Sequence, residues 1–172
     1  GEISASMLKD LNVEYVIIGH SERREYHDET NEVINKKFQS AVSHNLKPIL
    51  CVGETLHQRQ QQETFQHIEN QILSVINKDV LSGESFIIAY EPIWSIGTGN
   101  TPTVNEIEDV NLYIKKIITK INLSYEKTSI LYGGSVNKHN SLVFLDNKNI
   151  DGLLIGGASL NLNTFFSILT YK

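Results

Sequence analysis

Two strings in this 172-residue sequence place an ionisable side chain at the end of an apolar run, where it could take part in catalysis. Glu91 follows the run 86–90 directly, and a proline and the only tryptophan come next. A carboxylate here could simply cap the next helix, but the proline and tryptophan favour a functional position. His20 follows the run 15–18 near the start of a helix, whose dipole disfavours a protonated imidazole. We therefore expect His20 to be neutral and able to donate a hydrogen bond.

The segment after Glu91 has the pattern of a mobile lid. It begins with Pro-x-Trp and ends with Gly-Thr-Gly, which suggests two hinges around a rigid tip. A lid of this kind excludes water from a reaction. The predicted lid consists of Pro92, Ile93, Trp94, Ser95, Ile96, Gly97, Thr98 and Gly99.

Two glycine pairs, in 133–135 and 156–157, follow the last two apolar runs. Glycine lets the backbone approach a ligand, and successive N–H groups at a helix start bind anions. One such pair could be no more than a tight turn. Two pairs at the ends of consecutive strands are typical of the phosphate site of βα barrels, so we predict phosphate binding.

The elements that must position these residues alternate between strand and helix. Continuous apolar runs at 15–18, 48–52, 86–90, 129–132 and 152–155 suit parallel strands that are buried on both faces. Apolar residues at 3.6-residue spacing predict helices between them, at 4–11, 33–42, 65–76, 106–121, 137–145 and 161–169. This order predicts one α/β architecture with a parallel sheet.

Composition excludes several classes of function. With 40% apolar and 20% charged residues the chain is not disordered over most of its length, and a net charge of −5 argues against general binding to nucleic acid or anionic membranes. The apolar runs are far shorter than the roughly 20 residues that span a bilayer, and we expect no secretory signal. The single cysteine cannot form an internal disulfide, which fits a reducing compartment.

Other ionisable residues are interpreted as structural. Cys51 lacks a base partner in the sequence and is predicted to be a buried strand residue. The remaining histidines lie in polar or helical surroundings without metal-ligand spacing, so we predict no metal site. The pair Arg23 and Arg24 is attributed to ion pairs with nearby glutamates.

Taken in order, the strings resemble the triosephosphate isomerase family along the whole chain. The matching blocks are GEISASMLKD, IIGHSERR, CVGE, AYEPIWSIGTG, LYGGSV and DGLLIGGAS. The resemblance implies a TIM (β/α)8 barrel that interconverts dihydroxyacetone phosphate and D-glyceraldehyde 3-phosphate without a cofactor. It further implies a cytoplasmic homodimer of glycolysis and gluconeogenesis.

The resemblance also implies roles for individual residues. Glu91 would be the base that moves a proton between neighbouring carbons, and His20 the neutral electrophile that polarises the carbonyl. The segment 92–99 would be the lid. Glu22 would be an accessory polar residue beside His20, and further substrate or phosphate contacts are implied for Gly97, Ser135, Leu154, Gly156 and Gly157.

The sequence departs from the family in two ways. Asn100 stands where a lysine often follows Gly-Thr-Gly, which should alter hinge stiffness more than chemistry. The resemblance begins after the family's third strand, so we interpret 1–172 as a single domain formed by barrel units four to eight plus the preceding helix. The first-loop asparagine and lysine are then absent, and five strands leave two open edges and exposed apolar faces.

Two alternative functions remain at this stage. Another phosphate-binding βα-barrel enzyme, such as an epimerase or aldolase, would share the glycine loops. Such an enzyme would also require a metal cluster or a Schiff-base lysine at a strand end, and the sequence has neither. The other alternative is an inactive fragment of the barrel that serves binding or assembly, because the lysine that complements the substrate charge is missing.

Overall fold

The computed structural model describes residues 2–76, 85–98, 100–121, 123 and 128–170. Its strands are β1 (Tyr15–Ile18), β2 (Lys47–Val52), β3 (Phe86–Tyr90), β4 (Thr128–Tyr132) and β5 (Gly152–Leu153). Its helices are α1 (Ala5–Asp10), α2 (Ser21–Tyr26), α3 (Asn31–Ser43), α4 (Leu56–Gln60), α5 (Thr64–Val75), α6 (Val104–Lys120), α7 (Ser141–Leu145) and α8 (Leu162–Leu169). Short 3-10 turns cover Ile93–Ser95 and Gly157–Leu160. In these ranges no helix combines the length and apolar character that a membrane crossing requires.

The five strands form one parallel sheet in the order β1-β2-β3-β4-β5, which confirms the predicted α/β class. Spatial order follows chain order without a reversal. Because βα crossovers are right-handed, this order places successive helices on the same face of the sheet. A sheet of that kind is a sector of a (β/α)8 barrel, whereas a doubly wound sheet reverses its strand order.

The core lies between the sheet and three of its helices. Residues of α3, α5 and α6 at helical spacing form an apolar stripe on each helix, and these stripes pack on outward-facing strand residues. Burial of each large aliphatic side chain contributes about 1.5–3 kcal/mol, so this layer dominates the stability of the fold. The fully buried members include Ile34, Phe38, Ile68, Ile72, Ile107, Ile114, Leu50 and Ile88.

The expectation that every strand is buried on both faces is wrong for β1. Tyr15 and Ile17 are 46% and 50% exposed, because no described element covers the face of β1 that points away from the helices. The far end of the sheet is similar, where Phe166 of α8 is 61% exposed. Along the described residues, β1 and β5 each pair with one strand only.

Several predicted boundaries differ from the structure by a few residues. The last strand ends at Leu153 rather than at residue 155. The helix predicted from residue 137 begins at Ser141, because two asparagine side chains form a competing turn. Asn137 Oδ1 accepts hydrogen bonds from the N–H groups of His139 and Asn140, and Asn140 Oδ1 accepts one from the N–H of Asn137.

Candidate active site

The carboxyl ends of the strands meet around one cleft of about 610 Å³. Parallel strands bring the residues that follow them to the same edge of the sheet, so side chains far apart in sequence become neighbours. All the residues to which the sequence assigned catalysis or substrate contact line this cleft, namely His20, Glu22, Glu91, Gly97, Ser135, Leu154, Gly156 and Gly157. A second cavity of about 400 Å³ lies by α1 and the outer edge of β1, away from these groups.

His20 is held by the start of α2. It is the N-cap residue of that helix, and its Nδ1 accepts a hydrogen bond from the N–H of Glu22 at 3.3 Å. A ring nitrogen that accepts carries no proton, so this contact suits the tautomer with its hydrogen on Nε2. Nε2 lies 3.2 Å from Oε1 of Glu91.

Glu91 is buried, with 2% of its surface exposed, and both of its carboxylate oxygens are engaged. Oε1 faces His20, and Oε2 accepts a hydrogen bond from the N–H of Ser21 at 3.2 Å. Burial raises the pKa of this carboxyl, while His20 and the Ser21 N–H act in the opposite direction. Its carboxylate lies at the start of α2, across the cleft, and not on the helix that follows it in sequence.

A glycine gives the Glu91 side chain its space. A Cβ at Gly133 would lie 2.9 Å from Cγ of Glu91, which is closer than real contacts allow. Gly133 also donates its N–H to the carbonyl of Tyr90 at 2.8 Å, so its backbone cannot readily retreat. Gly133 therefore provides space for the Glu91 carboxylate, rather than a binding site for a phosphate.

Cys51 is a buried strand residue, as predicted, but it also adjoins Glu91. In the register of β2 and β3 it pairs with Ala89, two residues before the carboxylate. Burial, and then the charge of Glu91, raises the pKa of the thiol well above its ordinary value. The thiol therefore stays protonated, and its presence beside Glu91 lowers the pKa of that carboxyl. Sequence reasoning missed this partner because it lies 40 residues further along the chain.

The predicted lid leaves β3 as a short 3-10 turn and then borders the cleft. Ile96 and Gly97 line the cleft, whereas the indole of Trp94 points away from it. Trp94 Nε1 donates to Glu54 at 2.9 Å, and Thr98 Oγ1 donates to the carbonyl of Trp94 at 3.1 Å. Gly99, the last predicted lid residue, lies outside the described residues.

Glu54 was given no role by the sequence, yet it anchors the base of the lid. It is fully buried, and its Oε1 also accepts from the Tyr90 hydroxyl at 3.2 Å and from Arg59 Nη1 at 3.3 Å. The Arg59 guanidinium lies 4.6 Å from the Trp94 ring centroid, so it holds both the carboxylate and the indole. The available signal was an acidic residue directly after the glycine that ends the β2 run.

The glycine-rich loops face the cleft from β4 and β5. Ser135 donates its hydroxyl to the carbonyl of Ser95 in the lid. Gly156 and Gly157 have open space where a Cβ would be, so a ligand can approach their backbone. This arrangement suits an anion that lies between the two loops.

The remaining predictions for charged residues are mixed. Nη2 of Arg23 lies 2.7 Å from Oε1 of Glu29, which confirms the ion pair predicted for Arg23. The prediction is wrong for Arg24, which donates instead to the carbonyl of Gly19 at 2.8 Å and to Oδ1 of Asn31 at 2.7 Å. Over the described ranges no group of three or more His, Cys, Asp or Glu side chains could hold a metal ion.

The fold and the cleft together define a class. A neutral histidine and a buried carboxylate face glycine-rich loops at the ends of consecutive parallel strands, which is the arrangement of a phosphate-binding βα-barrel enzyme that works by acid–base chemistry.

Comparison with known proteins narrows this class to one family. The sequence model of the family "Triosephosphate isomerase" matches residues 1–172. The triosephosphate isomerase of Alkaliphilus oremlandii is 45% identical over 99% of this chain and 70% of its own length. That of Alkaliphilus metalliredigens is 47% identical with the same coverage, and that of Mesomycoplasma hyorhinis is 48% identical over 99% of this chain and 67% of its own length. The chain belongs to the triosephosphate isomerase family.

Proposed function

We propose that this protein interconverts dihydroxyacetone phosphate and D-glyceraldehyde 3-phosphate through an enediolate, with Glu91 as the base and His20 as the electrophile. The Glu91 carboxylate removes a proton from the carbon beside the carbonyl, and the electron pair moves onto the carbonyl oxygen. The Nε2 hydrogen of His20 stabilises that oxygen and exchanges between the two substrate oxygens. Glu91 then returns its proton to the neighbouring carbon.

The observation that carries the proposal is the contact of 3.2 Å between His20 Nε2 and Glu91 Oε1 inside the cleft. A base and a hydrogen-bond donor at this separation can act on adjacent atoms of one small substrate. Burial raises the pKa of the Glu91 carboxyl, which makes the carboxylate a stronger base than an exposed one. A neutral donor suits the second role, because its Nε2–H is about as weak an acid as the enediol hydroxyl, so a proton can pass in either direction between them.

The glycine-rich loops support the choice of a phosphorylated substrate. Among the described residues that line the cleft there is no lysine or arginine, so backbone N–H groups are the main local donors for a phosphate. We assign this role to the backbone of Gly97, Gly156 and Gly157, together with Ser135, and we place Leu154 and Glu22 beside the substrate. The phosphate then holds the triose with its carbonyl toward His20 and Glu91.

The segment 92–99 is proposed to close over the substrate. An enediolate phosphate loses its phosphate group readily in water, so closure protects the intermediate as well as strengthening the electrostatics of the site. Ile96 and Gly97 already border the cleft, and their movement inward would cover it.

We further propose how the barrel is completed, how the protein assembles and which pathways it serves. Residues 1–172 form the last five βα units of a (β/α)8 barrel together with the helix that precedes them, and the barrel is completed by polypeptide that pairs with β1 and β5. The protein assembles as a homodimer in the cytoplasm and serves glycolysis and gluconeogenesis. The exposed apolar residues of β1 and α8 support a covered sheet edge on each side.

The test is the substitution Glu91→Asp in the intact protein as isolated, assayed for isomerisation of D-glyceraldehyde 3-phosphate. Withdrawing the carboxylate by one methylene should lower kcat by about 100-fold while KM changes little, because only the reacting geometry is disturbed. The matched control is Glu25→Asp on the exposed surface of α2, which should keep full activity. If Glu91→Asp turns over like the control, Glu91 is not the base.

A further inference from the structure

An arginine without a carboxylate partner lies behind the proposed base. Arg24 of α2 donates from Nε to the carbonyl of Gly19 at 2.8 Å and from Nη2 to the carbonyl of Cys51 at 3.3 Å. Its Nη1 donates to Oδ1 of Asn31, the first residue of α3, at 2.7 Å. These three acceptors are uncharged, and no carboxylate of the described residues forms an ion pair with the guanidinium. A charge that is partly withdrawn from water without a counter-charge is costly, so this arrangement needs an explanation.

Arg24 and Glu91 line the same narrow gap, of about 10 Å³. A gap of this size holds at most one water molecule, so little solvent weakens the attraction between the guanidinium and the carboxylate. Burial lowers the pKa of Arg24, yet the guanidinium stays charged at the pH of any assay. Burial raises the pKa of Glu91, and the charge of Arg24 is among the influences that lower it. Arg24 therefore favours the ionised carboxylate.

The other ionisable groups nearby do not supply a permanent positive charge to Glu91. Those that face Glu91 or Arg24 from neighbouring elements are His20, Glu22, Glu29, Cys51 and His67. Glu29 already pairs with Arg23 and Lys37, so it does not neutralise Arg24. In the described part of the chain, Arg24 is thus the permanent cation whose charge reaches Glu91.

We propose that Arg24 is a positioning residue for the reaction, whose charge keeps Glu91 ionised because the neutral amide of Asn31, rather than a carboxylate, accepts its hydrogen bond. A carboxylate at position 31 would match the charge of Arg24 and leave less of it to act on Glu91. This inference rests on the proposed function for the role of Glu91 as the base, and it adds the charge that sets the strength of that base.

The experiment places a carboxylate beside Arg24 in the intact protein as isolated. Asn31→Asp keeps the Oδ1 atom that accepts from Nη1, and an acidic residue in the first turn of a helix is favourable, so the thermal midpoint at neutral pH should not fall. Glu91 should then bind a proton more readily, and the acid limb of kcat/KM for D-glyceraldehyde 3-phosphate should move to higher pH. On that limb kcat/KM should fall about three- to tenfold, while the plateau changes little.

The matched control is Asn70→Asp on the exposed surface of α5. Asn70 also accepts a hydrogen bond through Oδ1, from Ser74 Oγ at 3.1 Å, so the same atom is replaced and the same charge is added where solvent screens it. It should leave the acid limb in place. An acid limb that Asn31→Asp does not move, an equal movement in the control, or a lower thermal midpoint of Asn31→Asp would each overturn the proposal.

The ionisation of Glu91 can also be followed without turnover. The ¹³C chemical shift of its side-chain carboxyl, assigned by the signal that Glu91→Gln removes, should titrate at higher pH in Asn31→Asp than in the unaltered protein. If it does but the unaltered protein shows no isomerase turnover, the reaction is wrong and the role of Arg24 stands. If turnover is present but the carboxyl titrates at the same pH in both proteins, the role of Arg24 is wrong and the reaction stands.

Discussion

Nε2 of the His20 imidazole lies 3.2 Å from Oε1 of the Glu91 carboxylate, although the two residues follow strands β1 and β3, which are separated by β2. Both groups already have other backbone partners, since Glu22 donates to His20 Nδ1 and Ser21 donates to Glu91 Oε2. In the proposed reaction the substrate separates the pair, and the Nε2–H of His20 then turns from the carboxylate to a substrate oxygen. The start of α2 holds both partners in register for this exchange.

Gly133→Ala should impair catalysis more than folding. The added methyl group would lie 2.9 Å from Glu91 Cγ and would displace the carboxylate from His20. We expect kcat to fall by about 100-fold, measured with D-glyceraldehyde 3-phosphate, because a displacement of about 1 Å costs that much. Gly152→Ala is the control, since its methyl group would meet only the flexible end of Leu131. Equal activity of the two variants would contradict this account of Glu91.

The acid limb of the pH profile should respond to Cys51. Burial raises the pKa of Glu91 above its ordinary 4.5, and the base is active only when ionised, so activity is lost as the pH falls through that raised value. The Cys51 thiol favours the ionised form, because it lowers the pKa of Glu91. Cys51→Ala should therefore move the acid limb of kcat/KM to higher pH.

Cys51→Ser provides the matched comparison for that shift. A serine hydroxyl is a better hydrogen-bond donor than a thiol, so it should keep the acid limb at or below the pH of the unaltered protein. A movement of the limb to lower pH in Cys51→Ala would show that the thiol does not support the charge of Glu91.

Arg59→Met should destabilise the fold at the base of the lid. It would leave the fully buried Glu54 carboxylate with only the neutral donors Tyr90 and Trp94. The expected loss in the free energy of unfolding is on the order of 3 kcal/mol, measured by urea denaturation. Lys120→Met, which breaks the exposed pair with Glu69, should leave the midpoint almost unchanged. Similar urea midpoints for the two variants would mean that the Arg59 cation does not stabilise the buried Glu54 carboxylate.

Hydrogen exchange tests whether the sheet edges are covered in the intact protein. Outward-facing amides of β1 and β5 have no strand partner in the described residues. If further strands complete a barrel, as proposed, amides in Tyr15–Ile18 should exchange as slowly as those in β3. Exchange of the β1 amides at the rate of exposed loops would show that the edge is open in solution.

The sequence by itself determined most of the elements, though not the short helix α4, and the residues at the strand ends. Apolar runs and helical spacing are local properties, so β1 and β3 lie where the pattern predicts them. Because strand ends of a parallel sheet meet at one edge, His20, Glu91 and the glycine pairs could be assigned to a common cleft before any distance was known. Short-range competition moved one boundary, where the asparagine turn delays the start of α7.

Tertiary structure alone decided which groups touch across strands. The contact of Cys51 with Glu91 depends on the register of β2 and β3, and the anchoring of Trp94 by Glu54 joins residues 40 positions apart. The exposure of Ile17 reflects which faces of the sheet are covered. The register of two strands and the burial of a sheet face both depend on many contacts between residues that are far apart in sequence. A short stretch of sequence therefore cannot predict them, whereas the repeat of a strand or helix is visible within a few residues.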